Sequence, residues 1–275
     1  THVIRGDDHV NNTPKQIHIY LAMGAAVPAF AHLPMILGQD GSRLSKRHGD
    51  TALGAYRDMG IPREAMLNYL ARLGWSHGDQ EIFSQDELVS LFTLEAIGRS
   101  GARWDMDKLL SLSGTWLRRL DPVDLAARSR PFFDAAGVEV DDSRLAAALD
   151  SVQKRARTFV EIVAQSSFYF VEDSALPQDE KARKKWLKAA AGPVLRDLSA
   201  ALAAVSSWTA EALEAVVVAF AEARELKLGK IAQPVRVALT GTSVGPGLYE
   251  MLVAMGQTAT VRRLASAADR CPAPT

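Results

Sequence analysis

The sequence predicts a mainly α-helical protein that begins with a short α/β segment. Three observations support this fold class. The first 40 residues read as strand, helix and strand, apolar residues recur at helical spacing beyond residue 50, and the chain after residue 110 is rich in alanine and leucine. A chain of 275 residues is long enough for more than one domain, and we predict three parts, 1–50, 51–113 and 114–275.

The α/β segment is predicted from two apolar runs that flank a helix. Residues 2–4 form a short apolar strand, and residues 30–37 form a second extended run. Between them, Thr13 is placed to cap a helix, Pro14 suits the first helical position, and Gln16 can reach back as in a capping box. A strand–helix–strand order predicts parallel strands, with ligands beyond their carboxyl ends.

The remaining chain is predicted to be helical. Pro62 can start one helix and Asp121 another, while Ser84 and Glu87 have the spacing of a capping box. Apolar residues at helical spacing mark further faces, namely Met66, Tyr69, Leu70 and Leu73, then Leu213, Val216, Val217 and Phe220, and then the segment 250–264, which we predict as one further helix.

Charge and composition exclude several classes of protein. The formal net charge is zero, so any nucleic-acid surface must come from local segregation of charge. Cys271 is the single cysteine, which excludes an internal disulfide and a cysteine cluster for zinc. The sequence has no apolar run near the roughly 18 residues of a membrane span and no signal-peptide pattern. We expect a cytoplasmic monomer without zinc or a membrane partner.

A glycine-flanked cationic loop follows the second apolar run. Arg43, Lys46 and Arg47 surround Ser45, and the glycines of the segment 41–49 give its backbone freedom. Such a loop can fold over a polyphosphate and neutralise the charge that develops as a phosphorus–oxygen bond breaks. The segment lacks the Gly-Lys-Ser/Thr sequence of a Walker P-loop. A solvated turn with chance charges is the alternative.

A second candidate site follows the first strand. Arg5 stands at the strand end, with Asp7, Asp8 and His9 directly behind it. An arginine fork can hold a carboxylate through two parallel hydrogen bonds, which a lysine cannot do. An ion pair between Arg5 and Asp7 or Asp8 is the alternative. Both candidate sites fall at the carboxyl ends of the predicted strands.

Six ordered segments of the chain resemble bacterial glutamyl-tRNA synthetases, which are class I aminoacyl-tRNA synthetases. In particular, Arg-Leu-Ser-Lys-Arg at residues 43–47 is similar to the family's Lys-Met-Ser-Lys-Ser signature in its Lys-Leu-Ser-Lys-Arg form. The six segments are 1–9, 12–16, 31–37, 44–49, 67–75 and 227–236.

The resemblance implies a fold for each predicted part of the chain. Residues 1–50 would be the second half of a Rossmann-type catalytic domain, residues 51–113 a helical stem-contact region, and residues 114–275 an α-helical anticodon-binding domain.

The resemblance also implies roles for four residues near the two strands. Arg5 would hold the side-chain carboxylate of bound glutamate, and His9 would lie in the amino-acid pocket. Asp8 would belong to the ATP site, where the backbone of Ile36 would meet the adenine.

In the cationic loop, the resemblance implies that Arg43, Ser45, Lys46 and Arg47 bind ATP and that the first three also serve catalysis. The family's lysine at the position of Lys46 contacts the triphosphate and stabilises the transition state. Closure of the loop would make that contact selective for the transition state. Arg43 replaces a commoner lysine, which keeps the charge and changes the shape.

For the helical part, the resemblance implies contacts with the tRNA anticodon. Arg155 resembles the anticodon-reading arginine of the family, and Arg236, Pro246 and Leu248 resemble further anticodon contacts. A structural ion pair is the alternative for Arg236. A basic cluster is a candidate phosphate surface, with a solvated helix face as the alternative; it consists of Lys181, Arg183, Lys184, Lys185 and Lys188, with Trp186 among them.

The resemblance predicts ligation of L-glutamate to tRNA(Glu), in which ATP, bound with Mg²⁺, is converted to AMP and pyrophosphate. The first class I signature, His-x-Gly-His, occurs nowhere in the sequence, which begins inside a predicted strand without an initiator methionine. We therefore expect a carboxyl-terminal portion of a longer enzyme that does not activate glutamate alone. The alternatives are a non-catalytic tRNA-binding module, a relative that charges tRNA(Gln), and a small-molecule phosphotransferase.

Overall fold

The computed structural model describes residues 1–45, 47, 52–177 and 179–273. Within these residues the predicted fold class is confirmed, because a two-stranded parallel sheet lies near the amino terminus and helices dominate the rest. The chain divides into two compact units, Thr1–Trp116 and Leu117–Thr275. No helix of the described part of the chain has the length and apolar character needed to cross a membrane.

The first unit begins with a parallel strand pair. Its first elements, in chain order, are β1 (His2–Gly6), a 3₁₀ helix (Asp7–Asn12), α1 (Thr13–Ala22) and β2 (Ala29–Leu33). The register places Arg5 of β1 opposite His32 of β2. Because the strands are parallel, the segments that follow them leave the sheet at the same edge.

The second strand is shorter than the predicted run over 30–37. It ends at Leu33, because Pro34 has no backbone N–H to donate to a neighbouring strand.

The cationic loop nevertheless starts from a hydrogen-bonded base. The N–H of Leu37 donates to the carbonyl of Ala102 at 2.8 Å, and the carbonyl of Leu37 accepts from the N–H of Trp104 at 2.8 Å. On the other side of the loop, the N–H of Leu44 donates to the carbonyl of Ile36 at 2.9 Å. The start of the loop is therefore fixed by main-chain pairing.

The first turn of α1 differs from the predicted capping box. The N-cap residue is Asn12, and its side chain makes no capping hydrogen bond. Thr13 is already helical, and its hydroxyl contacts Arg5 and His32 instead. The predicted N-cap at Thr13 is therefore wrong by one residue, because a tertiary contact takes the hydroxyl.

Short helices complete the first unit. They are α2 (Leu53–Asp58), α3 (Arg63–Arg72), α4 (Gln85–Leu91) and α5 (Met106–Leu117). Tyr56, Tyr69 and Leu109 are buried in their shared core. The predicted capping box of α4 is confirmed, with the N–H of Glu87 donating to Ser84 Oγ at 3.2 Å and the N–H of Ser84 donating to the Glu87 carboxylate at 2.7 Å.

The second unit is a helical bundle. Its α-helices are α6 (Pro122–Ala135), α7 (Asp142–Gln153), α8 (Phe159–Ser166), α9 (Glu180–Trp186), α10 (Ala191–Ala203), α11 (Ala210–Glu222), α12 (Leu228–Thr240), α13 (Leu248–Met255) and α14 (Gln257–Asp269). Asp121 caps α6 as predicted, accepting from two backbone N–H groups. The predicted face of α11 is also confirmed, since Leu213, Val217 and Phe220 are buried.

The segment predicted as one helix over 250–264 is divided by Gly256. Its φ of 78° and ψ of 160° lie in a region that side-chain-bearing residues rarely adopt. Gly256 therefore ends α13 and starts α14, although the apolar spacing continues across it.

Candidate functional site

The first candidate site is a cavity of about 890 Å³ at the carboxyl edge of the strand pair. Residues after β1, residues after β2, the cationic loop and α3 all contribute to its wall. Among the predicted site residues, the lining includes Arg5, Asp8, His9, Ile36, Arg43 and Ser45. Both candidate sites of the sequence analysis therefore meet in one cavity, whose walls also include Trp75 and Phe92.

Arg5 is oriented by residues of two neighbouring elements, α1 and β2. One terminal nitrogen donates to the Thr13 hydroxyl at 2.8 Å, and the guanidinium lies 5.4 Å from the ring centre of Phe30. Its Nε atom is buried and has no acceptor among the described residues. Within that part of the chain Arg5 forms no ion pair, although Asp7 and Asp8 are close in sequence. Arg5 therefore has hydrogen-bonding capacity left for an acceptor.

Asp8 links the end of β1 to the cationic loop. Its carboxylate lies 3.0 Å from the Arg43 guanidinium, and the imidazole of His9 lies 4.0 Å from the same carboxylate. The Arg43 side chain is 65% exposed, so water screens this pair and it contributes at most about 1 kcal/mol. A polyphosphate carries more charge than one carboxylate, and it can replace Asp8 as the partner of Arg43.

The other loop residues differ in their positions. Ser45 is half-buried and lines the cavity. Arg47 is exposed, donates to Ser42 Oγ at 2.6 Å and lies 3.6 Å from the Asp40 carboxylate, so its described contacts are with residues at the start of the loop. Lys46, His48 and Gly49 lie outside the described residues. The predicted role of Lys46 therefore stays a prediction.

The predicted anticodon site is a separate region, in which Arg155, two residues after α7, contacts the loop between α12 and α13. Arg155 donates to the carbonyl of Gly245, and Arg236 of α12 donates to the carbonyl of Pro246 at 2.8 Å. Leu248 begins α13 directly after this loop. The structure thus brings all four predicted anticodon residues together.

Arg236 and Arg155 form a pair of like charges. Burial lowers the pKa of Arg236 from its ordinary value, and the charge of Arg155 lowers it further. The Nε atom of Arg236 is buried without a partner among the described residues. Two neighbouring guanidinium groups held by carbonyl oxygens favour an anionic or hydrogen-bond-accepting ligand.

Gly241 shapes the loop that holds these arginines. Its φ of 76° lies in the left-handed region, and a Cβ atom there would collide with the carbonyl of Pro177. The loop continues through Thr242, whose hydroxyl donates to the carbonyl of Val244 at 2.7 Å. Sequence reasoning missed Gly241, because a close backbone approach leaves no local signal.

The basic cluster lies on and just after α9. Lys184 pairs with Glu180 at 3.3 Å, and the Lys185 ammonium lies 4.9 Å from the ring centre of Trp186. The other cations, Lys181, Arg183 and Lys188, are exposed. A phosphate surface here remains a prediction. Among the described residues no group of three or more His, Cys, Asp or Glu side chains could hold a metal ion.

Two family profiles match the chain. Residues 124–268 match the profile described as "Anticodon binding domain", which is more than half of the chain. Residues 1–111 match the profile described as "tRNA synthetases class I (E and Q), catalytic domain".

Proteins similar to this chain include glutamate–tRNA ligases. The chain is 50% identical over 268 residues to a glutamate–tRNA ligase of Syntrophobacter fumaroxidans, covering 97% of this chain and 57% of the relative. It is 47% identical over 263 residues to a glutamate–tRNA ligase of an Anaeromyxobacter species, covering 95% and 55%. A crystal structure of a glutamate tRNA ligase from Elizabethkingia meningosepticum in complex with its amino acid matches with a TM-score of 0.83 at 29% identity, covering 99% and 57%. The chain thus spans somewhat more than half the length of these relatives.

Proposed function

Because the chain belongs to the class I tRNA synthetases of the glutamate and glutamine type, we propose that it provides part of the catalytic centre and the tRNA-reading helices of a glutamyl-tRNA synthetase. In the proposed reaction the α-carboxylate of L-glutamate attacks the α-phosphate of ATP, and pyrophosphate leaves. The glutamyl group then passes to a ribose hydroxyl of the terminal adenosine of tRNA(Glu), and AMP leaves. Mg²⁺ enters with ATP, and this reaction belongs to the cytoplasm.

The observation that carries the proposal is the cavity at the edge of the strand pair. The Arg5 guanidinium, the Asp8 carboxylate and residues of the cationic loop all line this one cavity. A volume of about 890 Å³ is within the roughly 300–1,000 Å³ range of small-molecule sites. Arg5 would bind the side-chain carboxylate of glutamate, and His9 would contact the same amino acid.

ATP would occupy the side of the cavity formed by the loop. The carbonyl of Ile36 accepts from the Leu44 N–H at 2.9 Å, and we therefore assign the adenine contact to the N–H of Ile36. Arg43, Ser45, Lys46 and Arg47 would surround the phosphates. Because the pair of Asp8 and Arg43 is weak, arrival of the triphosphate would release Arg43 from Asp8 and draw the loop over the nucleotide.

The arginine pair of the second unit would read the anticodon. The carbonyls of Gly245 and Pro246 hold Arg155 and Arg236 in place, which reduces the side-chain entropy that binding would otherwise cost. Arginine contacts to unstacked bases are a common mode of single-stranded RNA recognition. We retain the division of the chain into catalytic, stem-contact and anticodon-binding parts as a proposal.

The experiment is amino-acid-dependent exchange of pyrophosphate into ATP, measured on the full-length protein that contains this sequence, with tRNA(Glu) present. We expect exchange with glutamate and at least about a hundredfold lower kcat/KM with glutamine or aspartate, since a misplaced or missing carboxylate leaves Arg5 unpaired. Absence of exchange with glutamate would overturn the proposal.

Two further arms separate the alternatives. Charging of tRNA(Gln) as fast as tRNA(Glu) would favour a relative with wider specificity. ATP turnover in the absence of any tRNA and amino acid would favour a phosphotransferase. The 275-residue chain, which lacks His-x-Gly-His, is expected to show no exchange in the same assay.

A further inference from the structure

A hydroxyl group lies between the candidate substrate-binding arginine and a histidine of the neighbouring strand. Thr13 Oγ1 is 2.8 Å from a terminal nitrogen of Arg5 and 2.9 Å from Nε2 of His32. The parallel register aligns Arg5 with His32, and α1 returns over this pair with Thr13 in its first turn. Three elements thus converge on one oxygen atom.

The direction of these hydrogen bonds follows from the chemistry of the groups. A guanidinium only donates, so the Thr13 oxygen accepts from Arg5. The single hydroxyl hydrogen then has two candidate acceptors, Nε2 of His32 at 2.9 Å and the carbonyl of His9 at 3.4 Å. In either arrangement His32 fixes the position of the oxygen that receives the Arg5 hydrogen bond.

Capping of α1 does not explain this arrangement. Asn12 is the N-cap of α1 and makes no side-chain capping bond, so the helix does not use the Thr13 hydroxyl as a cap. In the described part of the chain, Thr13 is the hydrogen-bond acceptor of the Arg5 side chain. The remaining contact of the guanidinium, with the ring of Phe30, does not fix its rotation as a directional hydrogen bond does.

We infer that Thr13 and His32 are positioning residues for the proposed amino-acid site, which orient Arg5 so that its fork faces the side-chain carboxylate of the substrate. The inference rests on the proposed function. In this inference three hydrogen-bonded side chains, Arg5, Thr13 and His32, select the substrate carboxylate, and only Arg5 touches the substrate.

The test is the steady-state kinetics of glutamate-dependent exchange in the full-length protein. T13V keeps the shape of the side chain and removes the hydroxyl. The KM for glutamate should rise about tenfold to a hundredfold, the range expected when a hydrogen bond to a charged group is lost. Because the carboxylate contact is the same in the ground and transition states, kcat should change little, and the KM for ATP should stay constant.

Matched variants separate positioning from a folding defect. T13S keeps a hydroxyl and should restore most of the affinity for glutamate. H32L should reproduce the T13V effect in part, and H32Q, which returns a hydrogen-bonding group at similar reach, should reduce it. T258V removes an exposed hydroxyl in the other unit and serves as the control.

The outcomes also distinguish this inference from the proposed function. If the wild-type protein shows no exchange with glutamate, both are overturned. If the wild-type protein exchanges and T13V changes the KM for glutamate by less than twofold, only the positioning role is overturned. Equal increases in the KM for glutamate and for ATP would also reject it, because they indicate a general distortion of the cavity.

Discussion

Replacing Asp173 by Asn should destabilise the helical bundle of the second unit by about 2–3 kcal/mol. Asp173 accepts from Arg263 Nε at 2.7 Å, and Arg262 donates to the same carboxylate twice at 3.1 Å. The Arg263 side chain is only 3% exposed. It also donates to the backbone carbonyls of Phe168, Val171 and Leu239 at 2.7–2.9 Å.

The magnitude follows from what the substitution leaves behind. Removing one partner of a buried ion pair costs about 3–5 kcal/mol, because the other charge stays buried without compensation. Asp173 is itself 27% exposed, and an asparagine oxygen can still accept one hydrogen bond from Arg263. These two features place the expected loss at the lower end of that range or just below it.

The pH dependence gives a second readout of the same pair. Burial by itself raises the pKa of Asp173, but the hydrogen bonds from Arg263 and Arg262 outweigh it and lower the pKa below its ordinary value of 3.8. A lowered folded-state pKa contributes stability that is complete above 3.8 and is lost as the pH falls through the folded-state value. The difference between wild type and D173N should therefore be constant near neutral pH and shrink below about pH 4.

The assay is urea unfolding of the 275-residue chain, followed by far-ultraviolet circular dichroism at several pH values. D269N is the matched control, because Asp269 pairs with Arg196 at 2.9 Å while both side chains are more than half exposed. That control should lose at most about 1 kcal/mol. Equal losses for D173N and D269N, or a D173N effect that persists unchanged in acid, would refute the reasoning.

Three further substitutions test other features. G241A should lower the unfolding free energy by more than about 2 kcal/mol in urea titrations, because Gly241 has a positive φ and an added Cβ would meet the Pro177 carbonyl. G229A is the control, since Gly229 lies at an open helical position, and its unfolding free energy should not fall. S84A should cost about 1 kcal/mol through loss of the capping box, and the exposed Ser76 offers a serine-to-alanine control in the same unit. R155Q should relax discrimination between tRNA(Glu) and tRNA(Gln) in binding assays with the full-length protein; unchanged discrimination would remove the anticodon assignment of Arg155.

Features that depend on neighbouring residues were predictable from the sequence. The capping box at Ser84, the N-cap at Asp121 and the buried face of α11 need only local spacing, and all three are present. The early end of β2 at Leu33 could also have been anticipated, because Pro34 removes a backbone donor.

Features that depend on backbone conformation were harder to predict from the sequence. The break at Gly256 interrupts a segment whose apolar spacing is continuous, and only its positive φ distinguishes it. A glycine within a helical pattern is often tolerated, so the residue type alone did not indicate the break.

For the candidate site, the sequence anticipated that the predicted residues would lie at one edge of the sheet, but it did not give their contacts. The convergence of Arg5, Asp8 and Arg43 follows from parallel strands whose ends share an edge. The contact of Thr13 with His32 requires the strand register, which residue spacing does not give. The register places Arg5 opposite His32, which shows that the two side chains can share a contact with Thr13.

The base of the cationic loop has a consequence for synthesis on the ribosome. Leu37 pairs with Ala102 and Trp104, and the Gln39 side chain donates to the Trp104 carbonyl at 2.8 Å across a separation of 65 residues. At about 5–20 residues per second, translation needs several seconds to supply that partner segment. Helices α2 to α4, whose hydrogen bonds are local, can form during this interval. The hydrogen-bonded base of the cationic loop can therefore form only after the segment before α5 has left the exit tunnel.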